Sequence, residues 1–424
     1  MATAPSPMAP TDRRVRSGAR RRTSLLSGVA LLAAAALGLA ACSSSSSSGS
    51  SSSSSAPSTS MGTSASSGAS SAASAGGGAA AGVAKAQAQV AQLSAKTLKY
   101  PVPTTPVSNV ASLKGRTIFY IPLLQQIPTF AVAAATMKGA VEKAGLKLQV
   151  CNGKANPSGV AACVQQAITS NAAAIVLDAI PYGMAQNALD SAKSKGIPIV
   201  VGDQYPTAGF TNSNAVSYVP GVTDFPSQVA WWMIADSKGA ANAIIAQEAD
   251  NPSSMKFVAD SLSIYKTYCP GCKITVKTIT ATTNALLASA TSSNILANPD
   301  ATYYYTEFED SLQPTIQGIQ QSGKSSTMSL AVGAGTTNGL GLLKANSVVK
   351  CVIVADEAYE GWALTDQALR MATKTGPTTE TIPSRLFDES NIGSISVTPA
   401  AQLSGEWFGD ASFKSAFATL WGVS

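Results

Sequence analysis

The residue types that could do chemistry in this 424-residue chain are few, and that scarcity already narrows its function. Histidine does not occur at all, which removes Ser-His-Asp and Cys-His nucleophilic catalysis and most zinc sites. No G-x-x-x-x-G-K-[ST] loop is present, so hydrolysis of ATP through that phosphate cradle is excluded. Cys269-Pro270-Gly271-Cys272 has the C-x-x-C spacing of a redox pair or half a zinc site. A reactive pair sits at a helix N-terminus, where the dipole lowers the thiol pKa. Here the motif follows a helical segment and precedes a strand, so the dipole has the wrong sign, and no second C-x-x-C is available. Carboxylates near strand ends are the remaining acid–base candidates. The expectation is a protein that is not an enzyme and needs no cofactor or metal.

The elements that must position such residues are clearest between Arg116 and Asp203. Arg116-Thr117-Ile118-Phe119-Tyr120-Ile121 is a short β-branched and aromatic run that favours a strand. Phe130, Ala134, Met137, Val141 and Ala144 follow at helical spacing, and Gly145 sits where a C′ residue belongs. Leu146 to Val150 returns as a strand. Asn156-Pro157 opens a second helix with a capping side chain and a first-turn proline. Ala173 to Leu177 is apolar on both faces, as a central parallel strand must be. A helix from about Tyr182 to Lys195 leads to the strand Gly196–Asp203. The pattern resumes with strands at 242–246, 273–280, 302–306, 328–332 and 349–354, and helices at 252–268, 286–296, 311–321 and 359–373. Ala215 to Gly221 reads as a segment crossing between the two halves. This alternation implies parallel sheets flanked by helices, with ligand chemistry at the carboxyl ends of the strands.

The chain does not begin with its fold. Six arginines precede an apolar run from Leu25 to Ala41, the n-region and h-region of a secretory signal. The run ends Leu39-Ala40-Ala41-Cys42, which resembles the lipobox of bacterial lipoproteins and implies lipidation of Cys42. Both Sec and twin-arginine export remain open. The formal charge of +6 belongs largely to this leader, since 23 basic and 22 acidic residues remain without it. A near-neutral mature protein has no basic field for nucleic acid. Residues 42–82 are almost wholly Ser, Ala, Gly and Thr and read as a flexible tether, spanning about 35 Å on average. Residues 83–115 read as a helix and an extended, proline-bearing lead-in. In an exported chain Cys269–Cys272 is a local structural disulfide, and Cys151–Cys163 a clip between the second strand and its following helix. Cys351 is left over, buried in a strand as a small apolar residue.

The ordered series Arg116–Ile121, Gly139-Ala140, Ala167-Ile168, Ala174–Leu177 and Gly196–Asp203 resembles the periplasmic sugar-binding proteins of ABC importers, the ribose-type solute-binding family. The similarity extends more weakly to about Gly393. It implies a two-lobed α/β fold of the periplasmic-binding-protein type I, with three interlobe crossings near 204–225, 355–360 and 385–393. One lobe would comprise 116–204 and 358–385, the other 205–357, with 386–424 as third crossing and tail. Phe413, Phe417, Leu420 and Trp421 stand at helical spacing in that tail and suit docking on a lobe. The resemblance further implies a monomer held to the membrane by its lipid alone, which closes its hinge on a small polar ligand and presents it to an ABC permease. A sensory receptor presenting its closed form to a signalling partner is the alternative.

In two-lobed receptors the ligand is held by loops after strands of both lobes, through aromatics for C–H faces and Asp, Asn or Gln for hydroxyls. The expected ligand residues are Gln125, Gln126 and Phe130 after the first strand, Asp178 and Tyr182 after the third, and Asp203 after the fourth. The second lobe offers Asp250, Asn251, Phe308 and Glu309. An acidic residue after a strand is also a common helix N-cap. Departures from the family are visible. Its sugar-binding Asn-Asp pair falls on Phe308-Glu309, its Gly-x-Asp on Gly333-Ala334-Gly335, and its hinge Gln near Ala355-Asp356. Ribose specificity is therefore not implied.

Overall fold

The structure is a computed structural model that describes residues 69–222, 224–249, 251–280 and 285–423. The leader, Cys42, tether residues 42–68 and Asp250 lie outside the described residues. The described part falls within one compact unit, and none of its helices is long and apolar enough to cross a membrane.

Helix α1 (Ala69–Ser94) begins well before Val83, so the expected tether is shorter at its C-terminal end than its composition suggested. Alanine is the strongest helix former, and a Gly/Ala surface lets backbones approach closely. A Cβ on Gly82 would stand 2.0 Å from the carbonyl oxygen of Tyr268, at the end of a helix of the second lobe.

The first sheet holds β1 (Thr117–Pro122), β2 (Lys147–Val150), β3 (Ala174–Asp178), β4 (Ile199–Gly202) and β5 (Val216–Val219), all parallel in the order β2-β1-β3-β4-β5. Residues 215–221, expected as a crossing, therefore supply the fifth strand, and the first lobe reaches Val219 rather than ending at 204. Helices α2 (Pro128–Lys143), α3 (Pro157–Thr169) and α4 (Gln186–Ser194) connect these strands. Asn156 caps α3 as expected, accepting from the Gly159 amide at 2.8 Å. In α2 the buried face is Thr129, Ala133, Thr136, Met137, Ala140 and Val141. That is offset from the expected stripe and leaves Phe130 partly exposed.

The second lobe carries α5 (Phe225–Asp236), β6 (Asn242–Glu248), α6 (Pro252–Tyr268), β7 (Lys273–Ile279), α7 (Leu287–Leu296), β8 (Tyr303–Thr306), α8 (Leu312–Gln321), β9 (Ser329–Val332), α9 (Thr337–Lys344) and β10 (Val349–Ala355). Its sheet order is β11-β10-β9-β8-β6-β7, where β11 (Ser384–Asp388) is the one antiparallel member among the described strands. The stretch expected as the third crossing thus also closes this sheet. Between β10 and β11 the chain returns to the first lobe as α10 (Glu357–Ala372), packed on α2, β3 and β4. Asp356 caps α10 through the Tyr359 amide at 3.0 Å. The tail, α11 (Pro399–Ser404) and α12 (Ser412–Leu420), docks on α10. Phe413, Phe417 and Trp421 are buried there, and Trp421 stacks on Trp362 with ring centroids 5.4 Å apart.

Both expected disulfides are present, Cys151–Cys163 and Cys269–Cys272, and Cys351 is a buried free thiol.

Candidate functional site

Between the two lobes lies a cavity of about 520 Å³, lined from the loops after β1, β3, β4 and β5 on one side and after β6, β8, β9 and β10 on the other. Each of these loops leaves the carboxyl end of a parallel strand, where α/β sheets place their ligands. Four phenylalanines, Phe130, Phe225, Phe257 and Phe308, supply flat apolar surface. Gln204, Asn251, Gln313 and Asn338 supply amides. Five carboxylates complete the wall, on Asp203, Glu248, Glu309, Asp310 and Glu357. No lysine or arginine lines it among the described residues.

Five expected ligand residues reach this cavity: Phe130, Asp203, Asn251, Phe308 and Glu309. Two of them are already engaged by backbone. Asn251 caps α6 through the Ser253 amide at 3.0 Å. Glu309 accepts from the Thr336 amide and hydroxyl, the latter at 2.5 Å, and from the Gly339 amide at 3.2 Å, which ties it to the first turn of α9. Other expectations fail. Gln125 and Gln126 are exposed and do not line the cavity, because the loop after β1 turns Leu123 and Ile127 inward instead. Tyr182 faces α4, where its hydroxyl donates to Asp190 at 2.9 Å. Asp178 is wholly buried behind the cavity wall, where it accepts from the Tyr120 hydroxyl. Missed residues include Phe225, at the start of α5, and Glu357, the first residue of α10. Both follow a capping or loop residue at a helix N-terminus, which was the available signal.

Behind the wall the acids gather. Carboxylate oxygens of Asp178, Asp203 and Glu360 lie within 4.8 Å of one another. Burial pushes the Asp203 carboxyl well up, and repulsion from Glu360 and Asp178 adds to it. Glu360 is raised first by burial and then by Glu357, and Glu357 first by burial and then by Asp203. Protons shared between these carboxyls, or a cation, can relieve that repulsion.

Asp203 itself is held in the left-handed region at φ 54°, opposite Gly221 at φ 65°. A Cβ on Gly221 would fall 1.6 Å from Asp203 Oδ1. Gly221→Ala should therefore destabilise the protein by about 2–4 kcal/mol, combining left-handed strain with overpacking. Gly115→Ala, at φ 78° with nothing within 4 Å of the new atom, should cost only about 1–2 kcal/mol. Equal losses in urea melts would show that the Asp203 contact is not tight.

A family model described as periplasmic binding protein domain matches residues 118–376. No curated protein matches the chain. Among solved structures, the 5-methylthioribose transporter solute-binding protein of Thermotoga lettingae, in complex with 5-methylthioribose, is similar with a TM-score of 0.61 at 16% identity, over 74% of this chain and 99% of that one. A sugar ABC transporter protein of Yersinia enterocolitica gives 0.59 at 18%, over 75% and 98%. A solute-binding protein of Bacillus halodurans with bound myo-inositol gives 0.58 at 12%, over 66% and 97%. With its two mostly parallel sheets, the cleft at their carboxyl ends and the match over most of its folded length, the chain belongs to the periplasmic binding protein family.

Proposed function

We propose that this protein is a lipid-anchored extracytoplasmic receptor that captures a small polar ligand, a sugar or sugar derivative, and delivers it to an ABC importer. The observation that carries this reading is the interlobe cavity, walled by aromatic faces and amides from both lobes. Such a wall binds most tightly when the lobes close on the ligand, so affinity and closure are linked. The ligands of similar solved structures, the thio-sugar 5-methylthioribose and the polyol myo-inositol, are of a size that this volume accepts. Cys42 after a small-residue run supports the lipid anchor, and the absent histidine argues against catalysis. Glu309 and Gly335, where the ribose-type pattern has sugar-binding acids, argue against ribose itself. Glu309 is engaged at α9, and Gly335 carries no side chain.

The test is a thermal-shift screen of the purified protein against sugars, polyols, nucleosides and amino acids. Binding to the folded state alone stabilises by about 2.7 kcal/mol at a hundredfold excess over Kd. A clear rise with one class of sugar or polyol is expected. A rise only with amino acids or nucleosides would overturn the sugar reading, and no rise with any class would overturn the receptor reading.

A further inference from the structure

Resting on the reading of the cleft as a small-molecule site, we propose that its ligand carries an ammonium group, as an amino sugar or aminated polyol does, with the nitrogen seated against Asp203 and Glu357. The lining sets five carboxylates beside four amides, so acceptors outnumber donors once an acid ionises. An ammonium has three donors and no acceptor, whereas each sugar hydroxyl needs both. Of the five carboxylates, Glu309 is held by α9. Asp203 and Glu357 have no such tie. Among the described residues, the side-chain hydrogen-bond partners of both are other carboxyls, Asp178 and Glu360 for Asp203 and Glu360 for Glu357. Glu357 is 8% exposed and lines the cavity, so its carboxyl is desolvated, with another acid as its side-chain partner among the described residues.

The second rank of acids points the same way. Asp178 is 0% and Glu360 1% exposed, and Asp178 Oδ1 and Glu360 Oε1 have no hydrogen-bond partner. Among the described residues no lysine or arginine lines the cleft, so in the empty cleft these acids keep protons, and an ammonium seated on Asp203 and Glu357 would displace one of them. Ionising one of these acids is costly while it faces the others, and a cation arriving with the ligand would relieve that cost where charge attraction is strong. The phenylalanine faces suit both C–H groups and a cation. An anionic ligand would find no lysine or arginine to pair with among the described residues of the lining.

The experiment uses matched probes on the purified full-length protein by calorimetric titration. They are D-glucosamine, D-galactosamine, D-mannosamine and N-methylglucamine, against glucose, galactose, mannose and sorbitol, with D-glucuronate as the anion. In at least one pair the amine should bind about tenfold or more tighter than its neutral parent, with no binding of glucuronate. Glu357→Gln should shrink that gap to about threefold or less, with a cooperative melt as the check on folding. Asp203→Asn serves the same purpose if Glu357→Gln does not fold. Neutral parents that match or beat the amines in every pair would overturn the ammonium and leave the sugar receptor standing. Binding of neither set would overturn both. A melting shift with MgCl2 or CaCl2 alone, and no preference for amines, would overturn it in favour of a metal ion at Asp178, Asp203 and Glu360.

Discussion

Replacing Arg370 with methionine should destabilise the folded protein by about 3–5 kcal/mol, the cost of leaving a buried charge without its partner. Arg370 and Asp366 form an ion pair one turn apart on α10, with Nε to Oδ2 at 2.5 Å and side chains only 1% and 0% exposed. The pair also joins distant parts of the chain. Arg370 donates to the Thr105 carbonyl at 2.6 Å in the lead-in, and Trp421 Nε1 donates to Asp366 Oδ1 at 2.6 Å from the end of the tail. Glu380 lies against Asp366, raised first by burial and then by that neighbour. Without the guanidinium, two buried acids face each other with no cation. Asp366→Leu combined with Arg370→Met removes the charge together with its partner, so the double variant should regain part of the loss. Chemical melts of the three proteins decide it. A single-variant loss below about 1 kcal/mol would mean that the pair does not hold lead-in and tail to α10.

The second large effect is on pH. Glu307 is pushed up to about 7, by burial against weaker hydrogen bonds from Ser254 and the Glu248 amide. Asp356 is also raised to about 7, again chiefly by burial. Asp178, Asp203, Glu357, Glu360 and Glu380 are raised as well. A carboxyl whose folded pKa exceeds its unfolded value keeps a proton that the unfolded chain releases. Its contribution is present in full below the unfolded pKa, near 4, and is lost as pH rises through the folded pKa. Every tenfold difference in proton affinity between the folded and unfolded chain is worth about 1.4 kcal/mol. The melting temperature of the unliganded protein should therefore fall between pH 5 and pH 8, by on the order of 10 °C. Glu307→Gln should flatten part of that slope. A melting temperature that is constant or rises over this window would contradict the buried, protonated state of these acids.

The fold was legible because parallel strands buried on both faces are continuous apolar runs. Ala174–Asp178 is the clearest, with every residue buried. Helix starts at Asn156-Pro157 and Asn251-Pro252 carried their own caps. β5 was missed because Val216–Val219 is four residues at a sheet edge, with Ser217 in its middle. α9 was missed because two glycines in Thr337–Lys344 weaken its helical signal. The first half of α1 was hidden by composition, since Ala and Gly serve equally in a tether and in a closely packed helix.

At the site, the carboxyl ends of strands named the right loops but not which side chain of each loop turns inward. Phe130 faces the cavity while Gln125 and Gln126 face solvent. Phe257, inside α6, reads as part of a core stripe, yet it lines the cavity. The carboxylate group behind Asp203 joins β3, the end of β4 and α10, and no local spacing shows that convergence.

The most direct test of the central claim, that the interlobe cavity is the ligand site, is a calorimetric titration of the screen's best ligand. It would be run on the wild-type protein and on the Phe130→Ala/Phe308→Ala variant, which removes one aromatic face from each lobe. About tenfold or greater loss of affinity is expected in the variant, with a cooperative melt retained. Equal affinity in the two proteins would place the ligand outside this cavity and contradict the account.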